Sequence, residues 1–229
     1  MPLQPDSPSH KNQGPQVASQ RFRLFLELLI LFVLIPTLLN LLPFKRIVFV
    51  ALWAGAIGCY VFLRRDAAFG VLPHWNKAAI NWQNLKPILV RFALSASVIT
   101  VGILLFIPER LLDLPMENPR LWVSVLIFYP LLSVYPQEII YRSFFMRRYK
   151  AAFSKPYKLV IVNALLFGYA HLIFHHWLTI VLSVIGGVMF AQTYLKTRSL
   201  GLVCIEHVLY GCWIFTIGLG YYFYTGVAR

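Results

Sequence analysis

Seven apolar stretches, each long enough to cross a bilayer, dictate what this chain can fold into. A hydrocarbon core about 30 Å thick needs roughly 20 consecutive apolar residues in a helix. By that measure spans fall near 24–42, 46–63, 88–107, 121–146, 158–176, 177–195 and 199–221. Every backbone N–H and C=O within lipid must bond inside its own segment, so these stretches imply an all-α, polytopic membrane helical bundle. Composition agrees: 59% of residues are hydrophobic and 13% charged, and the mean hydropathy of +0.68 lies far from that of a soluble domain. The first apolar run is too long for a signal-peptide core and has no small-residue cleavage site after it, so it reads as the first span.

Charge placement then bounds orientation and partners. The net charge of +13 is spread in short clusters between the apolar stretches, not in a run or along one face, which speaks against nucleic acid as a partner. With the N-terminus cytoplasmic, 14 of the 21 Lys and Arg fall on the inner side and 5 on the outer, leaving Arg91 and Arg142 within helices. The positive-inside rule therefore predicts an N-in, C-out protein in the membrane lipid bilayer. Residues 1–20, rich in Pro, Ser and Gln, are expected to be a disordered cytoplasmic tail. Residues 21–120 carry the N-terminal membrane helices with an interfacial segment, and 121–221 the core that holds three short motifs. Between the second and third spans, "DAAFGVLPHWNKAAINWQNLKP" (66–87) reads either as a segment lying in the interface or as a solvated loop with a short helix. Cys59, Cys204 and Cys212 are odd in number and lack metal-type spacing, so neither a disulfide framework nor a zinc finger is expected.

Polar residues inside the spans carry the functional signal. An ionisable side chain near the bilayer centre costs roughly 2.5–3.5 kcal/mol on insertion scales, and such residues mark sites facing the bundle interior. Of 8 acids, Glu27, Glu138 and Glu206 are intramembrane, and four of the 6 histidines, His171, His175, His176 and His207, lie within or at the end of the expected helices. Glu138 and Arg142 stand at i and i+4, which fits a structural ion pair as well as a chemical role. Gln137 lies about 100° around the helix from Glu138 and faces a different neighbour. Glu138 and His207 lie about 12 Å from the cytoplasmic ends of their spans and His171 about 20 Å, so a later start of the fifth helix would let the three converge. Glu27, one turn into the first span, is expected to snorkel to the interface or to pair with Arg23. His175 and His176 read as interfacial.

Three short motifs hold most of these residues. "QEIIYR" (Gln137 to Arg142) resembles an EExxxR motif, "FGYAH" (Phe167 to His171) matches FxxxH, and "HVLYG" (His207 to Gly211) resembles HxxxN. In this order, on separate helices, they resemble those of the CPBP family of intramembrane proteases, which are similar to the type II CAAX prenyl endopeptidases. The resemblance covers residues 121–221. It implies an endopeptidase acting on a membrane-associated peptide or protein, in which a glutamate and a histidine activate water while a histidine and an asparagine stabilise the oxyanion. By position, His171 would assist the base, His207 would donate to the oxyanion and Arg142 would hold the motif helix. A metal-dependent reading would give zinc the ligands Glu138, His171 and His207. Gln137 stands where the family has its water-activating glutamate, and Gly211 where it has the asparagine. Glu138 or Glu206 would then have to supply the carboxylate. The alternative is a non-hydrolytic relative binding a peptide, lipid or partner protein in the same polar cavity. The resemblance also implies a bacterial cytoplasmic membrane.

Overall fold

The computed structural model describes residues 13–42, 47–65 and 75–223. Seven helices among them are long and apolar enough to cross a membrane: α1 (Ser19–Leu41), α2 (Ile47–Arg65), α3 (Trp82–Phe106), α4 (Pro119–Arg148), α5 (Pro156–Phe174), α6 (Trp177–Thr197) and α7 (Leu200–Ile217). The all-α membrane bundle expected from the sequence is therefore what the chain forms. Helix α1 continues back to Gln13, so residues 13–20, expected as tail, are helical, while residues 1–12 of that tail lie outside the described residues. Helix α3 begins before Pro87 because the Asn81 side chain accepts the Asn84 N–H and caps it early. Helix α7 stops at Gly218, whose φ of +106° and the approach of the Arg110 carbonyl leave no room for a Cβ.

Prolines shape the helices that carry polar groups. Each lacks an N–H and crowds the carbonyl four residues back, so the preceding turn widens. In α1 the π-helical turn Ile30–Leu34 is followed by Pro36. In α4 the π turn Pro130–Val134 is followed by Pro136, and a second π turn, Ile139–Phe144, begins directly after Glu138. These wide turns reset the rotation of α4 and aim Glu138 and Arg142 into the bundle, where both are fully buried.

Close approach of α5 and α6 fixes the core. A Cβ at Gly187 would lie 2.9 Å from Ala164 Cα, and one at Gly168 would overlap Val184. Small residues at a helix contact let backbones meet where lipid offers no hydrophobic drive. Helix α1 closes the other side with Phe32, which packs edge-on against Tyr141, Phe145 and Tyr149 at centroid distances of 5.3, 5.1 and 5.9 Å. Such aromatic pairs contribute about 0.5–1.5 kcal/mol each beyond area burial.

Of the 66–87 segment, residues 82–87 belong to α3 and residues 75–81 form a connection with one short 3-10 turn. Residues 66–74 lie outside the described residues. Trp75 makes an isolated antiparallel bridge to Ser199, Asn76 Nδ2 donates to the Thr197 carbonyl at 3.0 Å, and Lys77–Ala79 forms one 3-10 turn. The loop thus docks on the α6–α7 connection, with Gly201 leaving space for the Trp75 ring.

Candidate active site

Glu138 sits at the centre of a buried polar node built by α4, α5 and α7. Its Oε1 accepts from His207 Nδ1 at 2.7 Å, and its Oε2 lies 3.2 Å from Arg142 Nε, an ion-pair contact that lacks hydrogen-bond geometry. Arg142 Nη1 donates to Asn163 Oδ1 at 2.8 Å, and Asn163 Nδ2 donates to the Tyr141 carbonyl at 2.8 Å. The guanidinium also lies over the rings of Phe167 and Phe190, 4.9 and 5.6 Å from their centroids. Glu138, Arg142 and Asn163 have no exposed surface. Asn163 is the member that sequence reasoning missed. An asparagine in the apolar run "LVIVNALLFG" was the available signal, since an amide at that depth needs partners.

The two histidines are oriented through their Nδ1 atoms. A carboxylate only accepts, so His207 Nδ1 carries the hydrogen it shares with Glu138. His171 Nδ1 lies 2.7 Å from the Phe167 carbonyl, which likewise only accepts, so this ring too is protonated at Nδ1. Each Nε2 remains for other chemistry. Phe167 wedges between the rings, 4.7 Å from His171 and 5.7 Å from His207, while His207 stacks on Phe190 at 4.6 Å. His171 and His207 line one cavity of about 1370 Å³, together with Gln137, Tyr129, Ser133 and Gly211.

The meeting of these residues does not come from a later start of the fifth helix. Its α-helical part begins early, at Pro156, and ends at Ala170. His171 then opens the 3-10 turn His171–Phe174. Gln137 does face a different neighbour from Glu138: its Nε2 donates to Ser133 Oγ at 2.7 Å.

Two carboxylates lie elsewhere than the sequence suggested. Glu206, fully buried, is turned toward α3: Arg91 Nη2 donates to its Oε1 at 2.7 Å and to Thr193 Oγ1 at 2.9 Å. It does not line the cavity, because adjacent helical residues point about 100° apart and His207 takes the cavity side. Glu27 neither snorkels free nor pairs with Arg23. Arg148 grips both its oxygens, Nε to Oε1 at 2.8 Å and Nη2 to Oε2 at 2.6 Å, and Tyr149 Oη donates to Oε1 at 3.0 Å. Burial and the adjoining Glu27 carboxylate push the Tyr149 phenol above its ordinary range, so it stays a donor. His176 stacks on Tyr222 at 4.1 Å, and His175 takes a left-handed φ of 53° to close α5.

The zinc set suggested by the motifs does not fit. Both Glu138 oxygens are engaged, one by an imidazole N–H and one by a guanidinium, which leaves only the two Nε2 atoms as donors. Among the described residues no three His, Cys, Asp or Glu side chains come together to hold a metal.

Gly211 is filled from across the cavity. A Cβ there would overlap the hydroxyl end of the Tyr129 ring. That ring packs edge-on to His207, with centroids 6.1 Å apart, and against Phe215 at 5.4 Å.

No curated protein and no solved structure matches the chain. The family model described as type II CAAX prenyl endopeptidase Rce1-like matches residues 119–213. That segment runs from the start of α4 to the turn of α7 holding Gly211, and so takes in the buried node and the cavity histidines. Over these residues the chain is similar to the Rce1-like type II CAAX prenyl endopeptidases, which supports the CPBP assignment carried by the three motifs.

Proposed function

We propose that this protein is an intramembrane endopeptidase, oriented N-in and C-out in a bacterial cytoplasmic membrane, that hydrolyses a peptide bond of a membrane-associated substrate. The observation that carries the reading is the pair of histidines, both held at Nδ1 by acceptors and both lining one cavity. His171 Nε2 has a lone pair when its Nδ1–H is on the Phe167 carbonyl, which makes it the base. It takes a proton from water as the oxygen attacks the scissile carbonyl. His207, with the Glu138 carboxylate behind it accepting from Nδ1–H, donates through Nε2–H to the oxyanion. As the tetrahedral intermediate collapses, the C–N bond breaks and the proton on His171 passes to the leaving amine. Arg142 and Asn163 keep the Glu138 carboxylate in place. No step passes through a metal.

Gln137 favours a second reading, a non-hydrolytic relative that binds a peptide, lipid or partner protein. An amide cannot take the proton, and neither Glu138 nor Glu206 faces the cavity. Cleavage of membrane-anchored peptides in proteoliposomes separates the two. The hydrolytic reading expects wild-type turnover that falls about 10²–10⁴-fold in His171→Ala. Turnover that is absent in the wild type and appears only with Gln137→Glu establishes the second reading.

A further inference from the structure

The cavity holds a further donor that none of the three motifs contains. Tyr129 lies on α4 two turns before Gln137, and its hydroxyl end occupies the space that any side chain at Gly211 would need. The ring is clamped between Phe215 and the edge of His207. It borders the same cavity as His171 and His207, and among the described residues no hydrogen bond reaches its hydroxyl. A phenol in a hydrocarbon setting finds a partner for its O–H where it can, so an unpartnered one at the wall of a cavity points to a ligand.

We infer that Tyr129 is a catalytic residue of this site, its hydroxyl donating, together with His207 Nε2–H, to the anionic oxygen of a tetrahedral carbonyl adduct. The glycine at 211 is the space that admits this donor. The donor's position is fixed because two rings hold the phenol and only its O–H torsion is free. Such preorganisation favours an oxyanion over a ground-state carbonyl, since the dipole need not reorganise as charge develops. The ligand class is a tetrahedral oxyanion flanked by apolar groups, to match a lining rich in Phe, Leu and Ile.

The inference rests on the hydrolytic reading, but its test does not require turnover. N-acylated apolar phosphinate dipeptides, whose phosphorus carries a tetrahedral anionic oxygen pair, are titrated into the full-length protein in nanodiscs, beside the amides of the same sequence. Wild type is compared with Tyr129→Phe, which keeps the ring and its packing. The expected result is phosphinate affinity weakened by about 10–100-fold in Tyr129→Phe, the loss typical of a donor to a charged acceptor, with amide affinity unchanged. Equal phosphinate affinity in the two proteins, an equal loss for both probes, or failure of the wild type to bind any phosphinate overturns the inference. Proteolysis is followed in parallel on the same samples. Phosphinate discrimination without cleavage sinks the hydrolytic reading and with it the catalytic role, leaving Tyr129 as a binding donor, whereas cleavage without discrimination keeps the hydrolytic reading and sinks the Tyr129 donor.

Discussion

Replacing Arg142 by methionine tests whether the buried node is held by its charges. Arg142 has no exposed surface and touches Glu138 at 3.2 Å and Asn163 at 2.8 Å. Methionine keeps the apolar contact with Phe167 and Phe190 but removes the cation. The hydrogen bond to Asn163 contributes about 1.5–3 kcal/mol as a bond from a charged donor. Stripping a buried ion of its partner costs about 3–5 kcal/mol in total, most of it from the carboxylate left uncompensated. We therefore expect Arg142→Met to lose about 3–5 kcal/mol of stability. The double variant Glu138→Gln/Arg142→Met should regain about half of that, because an amide at 138 tolerates burial and still accepts from His207. The assay is reversible unfolding in mixed detergent micelles, followed by the fluorescence of the chain's 6 tryptophans. A loss below about 1 kcal/mol in the single variant would show that the ion pair stabilises nothing. A double variant no better than the single would show that the Glu138 charge is not the cause.

Two further expectations concern the scaffold. Gly187→Val places a branched side chain where even a Cβ would stand 2.9 Å from Ala164 Cα and 3.3 Å from its carbonyl oxygen. Separation of α5 from α6 should cost about 1–3 kcal/mol, and should move His171 on α5 enough to lower ligand binding in the same titrations. Unchanged stability would mean that the two helices are not in backbone contact. Arg148→Lys keeps the charge but loses the two-pronged grip on Glu27, made at 2.8 and 2.6 Å. Both side chains are about a third exposed, at 33% and 29%. The loss should therefore be small, about 1 kcal/mol, and should shrink in high salt. A larger loss that does not respond to salt would refute a solvated ion pair.

Much of the fold was legible because hydropathy measures length against a fixed thickness, and the intramembrane acids and histidines stood out against that background. Partner choice was not legible. Glu27 and Arg23 are one turn apart, yet Glu27 went to Arg148, 121 positions away. Glu206 and His207 are neighbours in sequence, yet one faces α3 and the other the cavity. The π turns around Pro130 and Pro136 alter the rotation of α4, which no count of 100° per residue anticipates.

The sequence by itself determined that the chain is a seven-span bundle and that Gln137, Glu138, Arg142, His171 and His207 are the polar residues of its last four spans that share a motif order. Only the tertiary structure decided their roles in space. It buried Glu138 behind His207 and beside Arg142, brought Asn163 to the same node, turned Glu206 away and set the Tyr129 hydroxyl over Gly211. The physical reason is that crossing a bilayer is a property of each segment alone, set by its length and apolarity. Which polar atoms meet inside depends on how the helices are rotated and packed against one another.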